Sequence, residues 1–100
     1  MRSITVQELR RMIADKEDFA LIDVREPWEH EDYNIGGLLI PLDSIFSNVE
    51  LVSKEKLVVF YCRKGVRSLV AIQKLQQKYN FSNLINLSGG MEAWQKEPVS

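Results

Sequence analysis

Leu57-Val58-Val59-Phe60-Tyr61-Cys62-Arg63-Lys64-Gly65-Val66-Arg67-Ser68 changes character at its midpoint. Its first five residues are continuously apolar and rich in β-branched and aromatic types, which reads as a strand. Cys62 ends that strand, and Arg63-Lys64-Gly65 supplies a loop. From Val66 onward, apolar residues recur at Leu69, Ile72, Leu75 and Tyr79, the stripe of a core-facing helix. A strand feeding a helix through a short loop is one unit of an α/β domain.

The same alternation extends in both directions. Thr5-Val6-Gln7-Glu8 has the form of a capping box, and Val6, Leu9, Met12 and Ile13 share the face of a helix ending near Asp15. Ala20-Leu21-Ile22-Asp23-Val24 reads as a strand buried on both faces. Pro27 opens a short acidic helix reaching Tyr33. Gly36-Gly37 is a turn, Leu38-Leu39-Ile40 a short strand before Pro41, and Asp43 the cap of a brief helix through Phe46. Leu84-Ile85-Asn86-Leu87 is the last strand, and Ser88-Gly89-Gly90 turns into a closing helix carrying Met91, Ala93 and Trp94. Strands alternating with helices predict an α/β fold, a mainly parallel sheet with helices on both faces. Ligands of such sheets bind beyond the carboxyl ends of the strands, where Cys62 lies.

Composition narrows the function. One hundred residues, 45% hydrophobic and 9% aromatic, suffice for a single domain (1–100) with one real core, and exclude intrinsic disorder. Thirteen basic residues balance 14 acidic ones, so net charge gives no drive toward nucleic acid or a membrane surface. A single cysteine excludes an internal disulfide, and with one histidine there is no ligand set for structural zinc. No apolar run reaches the roughly 18 residues of a membrane span, and the N-terminus opens no signal-peptide core. A free thiol and no export signal point to a reducing, cytoplasmic setting.

Against that neutral background, residues 62–68 hold three cations and no acid. Backbone N–H groups turning into a helix start form an anion-binding nest, and Gly65 permits a positive φ. Activating the thiol is a weak use for such a field. Lowering a free thiol's pKa by two units from about 8.5 raises the thiolate fraction about 25-fold at pH 7, but costs about sevenfold in nucleophilicity. Holding an anionic substrate or a charged sulfur adduct on Cys62 is a stronger use. Arg67, five residues on, is placed to clamp an oxyanion. Arg63 and Lys64 read equally as solvated steering charges. Ser68 is most simply a helix N-cap whose hydroxyl can also reach the sulfur.

These segments together resemble the single-domain rhodaneses, a sulfurtransferase family, over essentially the whole length. Leu21-Ile22-Asp23-Val24-Arg25-Glu26-Pro27-Trp28-Glu29 is similar to the family's early Asp-Val-Arg strand motif. Gly36 and Ile40-Pro41 match part of its Gly-Ala-x-Asn-Ile-Pro segment, residues 62–68 its Cys-x-x-Gly-x-Arg-Ser/Thr loop, and Gly89-Gly90-Met91-Glu92-Ala93-Trp94 its Gly-Gly-x-x-x-Trp segment. The chain departs from the pattern at Asp32-Tyr33-Asn34, Gly37 and Leu39. The resemblance implies a five-stranded sheet and a sulfur carrier in which Cys62 takes sulfur from thiosulfate or another persulfide donor. The acceptor would be a thiol, cyanide or a sulfur-carrier protein. The loop residues Arg63, Lys64, Gly65, Val66, Arg67 and Ser68 would bind the anionic donor and adduct. Asp23 and Arg25 would brace the site, and no cofactor or metal is implied. His30 reads as a surface residue, and Trp28 and Trp94 as packing residues.

Two other functions compete. Cysteine phosphatases place five residues between Cys and Arg; only four separate Cys62 from Arg67, a tighter cradle suited to one sulfur. A non-catalytic rhodanese-like binding module, or a thiol sensor oxidised at Cys62, is the other alternative.

Overall fold

The computed structural model describes residues 2–97. In chain order the elements are β1 (Ser3–Ile4), α1 (Val6–Ala14), β2 (Phe19–Asp23), α2 (Pro27–Asp32), β3 (Leu38–Leu39), β4 (Leu57–Tyr61), α3 (Val66–Lys78), β5 (Leu84–Leu87) and α4 (Gly90–Lys96). The five strands form one sheet in the order β1-β5-β4-β2-β3, and every pairing is parallel. The α/β class, the α-helices and four of the strands follow the sequence reading. The fifth strand, β1, is a two-residue edge strand, too short to show any periodicity, and it pairs Ser3 and Ile4 with Asn86 and Leu87.

Alternation along β4 builds two cores. Val58, Phe60 and Cys62 point to one face, where Ala71, Ile72 and Leu75 of α3 cover them. Val59 and Tyr61 point to the other, where Val6, Leu9 and Met12 of α1 and Met91 of α4 close over them. A central strand buried on both faces explains its unbroken apolar run. On β5 the same alternation places Leu84 with the α3 core and Ile85 and Leu87 with the α1/α4 core. Asn86 therefore faces the α3 layer, as Cys62 does.

Two local expectations are corrected. Asp43 caps nothing: it lies inside a 3-10 turn, Leu42–Ser44, that starts after Pro41, and a second 3-10 segment runs over Phe46–Leu51. The cap of α3 is Gly65 rather than Ser68, because only the glycine supplies the left-handed turn, φ +94°, that redirects the chain from strand to helix. Among the described residues, no helix is long and apolar enough to cross a membrane.

Candidate active site

Cys62 stands at the carboxyl end of β4 with 1% of its surface exposed. The chain curls around its sulfur: Sγ accepts the N–H of Gly65 at 3.1 Å and that of Ser68 at 3.3 Å. The Ser68 hydroxyl also lies 3.3 Å from the sulfur. The curl depends on Gly65, where an added Cβ would press on Gly89 N and Leu87 O at 3.2 and 3.3 Å.

The start of α4 holds the outside of the loop. Met91 N–H donates to Cys62 O and Glu92 N–H to Arg63 O, each at 2.9 Å. Such close seating requires Gly90, because a Cβ there would run into the carbonyl oxygens of Cys62 and Arg63. A trans peptide sends its C=O and the following N–H to opposite sides. Anchoring those two carbonyls on α4 therefore turns the N–H groups of Arg63 and Lys64 away from it. Together with those of Val66 and Arg67, they have no backbone partner among the described residues. The loop is thus an amide-lined concavity with a sulfur at its base.

The cations of the loop do two jobs. Arg63 and Lys64 are about two-thirds exposed and lie 3.5 and 4.0 Å from Glu92 Oε2. Arg67 instead reaches α2, donating through both terminal nitrogens to Glu29, at 2.7 Å to Oε1 and 3.0 Å to Oε2. In this structure its fork is engaged by a carboxylate of the same chain rather than open as an oxyanion clamp. Hydrogen bonds from Arg67 outweigh the opposing effect of burial and hold the Glu29 carboxyl down at about 2. The guanidinium of Arg67 is in turn held more firmly protonated by Glu29 first, despite its own partial burial, with a further contribution from Asp23.

Sequence reasoning missed Glu29. It sits in an acidic stretch whose members look alike as solvated surface, yet it is only 9% exposed. A local signal existed: Glu29 lies three residues after Glu26 across Pro27, and its Oε1 accepts the Glu26 N–H at 3.0 Å.

Asp23 and Arg25 form a second cluster, which does not touch the sulfur. Fully buried Asp23 accepts from Arg25 Nε at 2.9 Å and Nη2 at 2.8 Å, and from the Arg25 backbone N–H at 3.0 Å. Burial pushes the Asp23 carboxyl up, but these bonds and one from His30 outweigh it and leave it lowered. Arg25 also donates to Tyr33 O at 2.7 Å, tying the end of α2 to the sheet. His30 is not a surface residue. Its Nδ1 lies 2.8 Å from Asp23 Oδ2 and its side chain is mostly covered, because α2 turns that side toward the strand end. Burial also drives the Tyr61 phenol well above its ordinary value, and its hydroxyl donates to Gly36 O at 2.8 Å.

The two tryptophans separate. Trp94 packs against the α1/α4 core with the Arg10 guanidinium 3.8 Å above its ring. Trp28 is not a packing residue: it is 69% exposed. It lines a cleft of about 290 Å³ bounded also by Arg25, Glu29, Tyr33, Arg63, Met91 and Glu92. That cleft lies beside the sulfur loop, reached through Arg63 and Met91.

Comparison with known proteins places this arrangement. The family model for the rhodanese-like domain matches residues 5–97. A probable adenylyltransferase/sulfurtransferase, MoeZ, of Mycobacterium tuberculosis is 36% identical over 95% of this chain, and the chain spans about a quarter of that protein's length. A sulfurtransferase of Allochromatium vinosum is 34% identical, with 96% of this chain and 90% of that protein covered. The crystal structure of a rhodanese-like domain protein from Staphylococcus aureus superposes with a TM-score of 0.86 at 32% identity, covering 100% of this chain and 97% of that one. The sheet, the cysteine at the end of its central strand and the sequence match agree, and the chain belongs to the rhodanese-like domain family.

Proposed function

We propose that this domain is a sulfurtransferase that carries a sulfane sulfur on Cys62. The observation that carries this reading is the amide cradle: a buried sulfur already accepting two N–H groups, under a loop with four more N–H groups lacking a backbone partner. Donors fixed in advance around a buried sulfur suit an anionic adduct better than a neutral thiol. The relatives named as sulfurtransferases support the same reading.

In the first half-reaction the Cys62 thiolate attacks the outer sulfur of thiosulfate. The S–S bond of the donor breaks, sulfite leaves with the bonding pair, and Cys62 holds a persulfide. In the second, cyanide or an acceptor thiolate attacks that outer sulfur. The bond to Sγ breaks and its electron pair returns to Cys62. Two half-reactions through one covalent adduct give ping-pong kinetics. Exposed Arg63 and Lys64 draw the anionic donor inward. Arg67, fixed by Glu29, holds the first turn of α3 in place and lends positive charge to the site. Asp23 and Arg25 brace the strand end and α2. The cleft beside Trp28 gives a thiol or a sulfur-carrier protein access to the rim of the loop. A reducing compartment such as the cytoplasm keeps the single cysteine available.

The test is intact mass after incubation with thiosulfate, beside a Cys62→Ala control. The expected result is a gain of one sulfur, about 32 Da, in the wild-type chain alone. No gain from thiosulfate or from a protein persulfide, with the thiol shown free, overturns the reading.

A further inference from the structure

Asn86 is a polar side chain inside an otherwise apolar strand, only 6% exposed. The proposed mechanism assigns it no task. Its Nδ2 donates to Gly65 O at 3.3 Å, and its Oδ1 accepts from the Ser68 hydroxyl at 2.5 Å. The Gly65 carbonyl fixes which way the amide points, because only the NH2 end can face another acceptor. Oδ1 must then face Ser68. The hydroxyl has one proton, and the short contact with Oδ1 takes it. What Ser68 turns toward Cys62 Sγ, 3.3 Å away, is a lone pair.

The four groups close a ring in which every bond runs in one direction. Cys62 S–H donates to Ser68 Oγ, Ser68 O–H to Asn86 Oδ1, Asn86 Nδ2–H to Gly65 O, and Gly65 N–H to Cys62 Sγ. This ring fits a neutral thiol. A charged sulfur needs the Ser68 proton, and rotating it toward the sulfur strips Oδ1 of its partner in a buried site.

We propose that Asn86 is a positioning residue that holds the Ser68 hydroxyl as an acceptor toward the empty Cys62 thiol and releases it as a donor when that sulfur becomes anionic. The inference rests on the reading of Cys62 as the reactive sulfur. Its consequence is an empty site with restrained reactivity toward adventitious electrophiles.

The charged groups around Cys62 are the same in every variant used to test this. Arg67 of α3 lies within coulombic reach of the sulfur and is bound by Glu29 of α2. Arg63 and Lys64 of the loop lie near Glu92 of α4, and Asp23, Arg25 and His30 pair beside β4. The Tyr61 phenol faces the opposite core.

Because Cys62 is the only cysteine, the test is its alkylation by iodoacetamide as a function of pH. Asn86→Leu removes the acceptor and frees the hydroxyl for the sulfur. A charge-assisted hydrogen bond is worth about tenfold in thiolate, against about threefold lost in nucleophilicity. The expected result is a profile displaced to lower pH and, on its acid limb, alkylation about threefold faster. In a Ser68→Ala background, Asn86→Leu has no such effect. Ser68→Ala alone slows the reaction by less than about threefold, because the proton that Ser68 can turn toward a thiolate is given up by Asn86 Oδ1 at an offsetting cost. An unchanged or slower Asn86→Leu overturns the proposal, as does equal acceleration with and without Ser68, the signature of a loosened loop. If Asn86→Leu fails to fold by circular dichroism, Ser68→Ala decides: slowing beyond about threefold overturns the proposal. These rates need no sulfur donor, so failure to load sulfur from thiosulfate and failure of this proposal are separate results.

Discussion

Replacing Glu29 by Gln tests whether Arg67 is braced by a charge or merely by a neighbour. Glutamine keeps the shape and one acceptor oxygen but loses the charge and the second acceptor of the fork, whose bonds measure 2.7 and 3.0 Å. The displacement of the Glu29 carboxyl from 4.5 to about 2 corresponds to roughly 3–4 kcal/mol as an upper bound. The Arg67 side chain is 34% exposed, so solvent screens the pair and about 1–2 kcal/mol is the expected loss at pH 7. The sign follows from the direction of displacement. A carboxyl lowered in the folded state stabilises fully above its unfolded value and loses that contribution as pH falls toward its folded one. The difference between wild type and Glu29→Gln should therefore be constant from neutral pH to about 5.5 and fall by more than half by about pH 3. Urea titrations at a series of pH values read this directly. A difference independent of pH, or one below about 0.3 kcal/mol at pH 7, refutes the claim that the charge holds Arg67.

Gly90→Ala forces a methyl into the carbonyls of Cys62 and Arg63 at φ +56°, so a loss of about 2 kcal/mol or more in thermal or urea unfolding is expected, and a loss under about 0.5 kcal/mol contradicts the close seating of α4. Asp23→Asn leaves the Arg25 guanidinium buried without its counter-charge; about 3 kcal/mol should be lost in urea unfolding, and under about 1 kcal/mol would deny the bracing role. Truncating both Arg63 and Lys64 to Ala should leave stability within about 0.5 kcal/mol but slow sulfur loading from thiosulfate several-fold at low salt. That deficit should shrink as salt is added, and a salt-independent deficit would mean that the two cations act by contact rather than by steering.

The fold was legible where a pattern repeats often enough to declare itself. The apolar run of β4 and the recurring stripe of α3 fixed the strand-loop-helix unit, and that unit located Cys62. Strand β1 escaped because two residues have no period. Ser68 reads as the cap of α3 by residue type, but Gly65 takes that place because the turn from strand to helix needs a positive φ there. Asn86 was within reach: parity on β5, counted from apolar Leu84, already puts it on the side opposite Ile85 and Leu87. What the sequence lacked was the register that pairs Asn86 with Phe60, two residues before the sulfur. Glu29, His30 and Trp28 were misjudged together because they share α2. A six-residue helix with a polar sequence does not announce which side is covered, and its orientation comes from the Arg25 and Arg67 contacts made elsewhere in the chain.

The alternation of β4 also explains why two kinds of polar network coexist so near each other. Tyr61 packs in the α1/α4 core and Cys62 in the α3 core. Asp23 pairs in register with Tyr61, and the Arg25 guanidinium lies 5.5 Å from the Tyr61 ring, so this ion pair is on the Tyr61 side of the strand ends. Fixed charges there hold α2 and the sheet together. Around Cys62 the buried partners are an amide, a hydroxyl and backbone N–H groups, all neutral. A buried formal charge in that position would favour one protonation state by several kcal/mol and resist the other. A hydroxyl reverses its donor direction by rotating one C–O bond. The proposed sulfur carriage requires a site that accepts an uncharged thiol and an anionic adduct in turn, and a neutral, rotatable shell fits that requirement. The Asp23–Arg25 pair stays on the far side of the strand, and Arg67 joins the loop to the α2 side through Glu29.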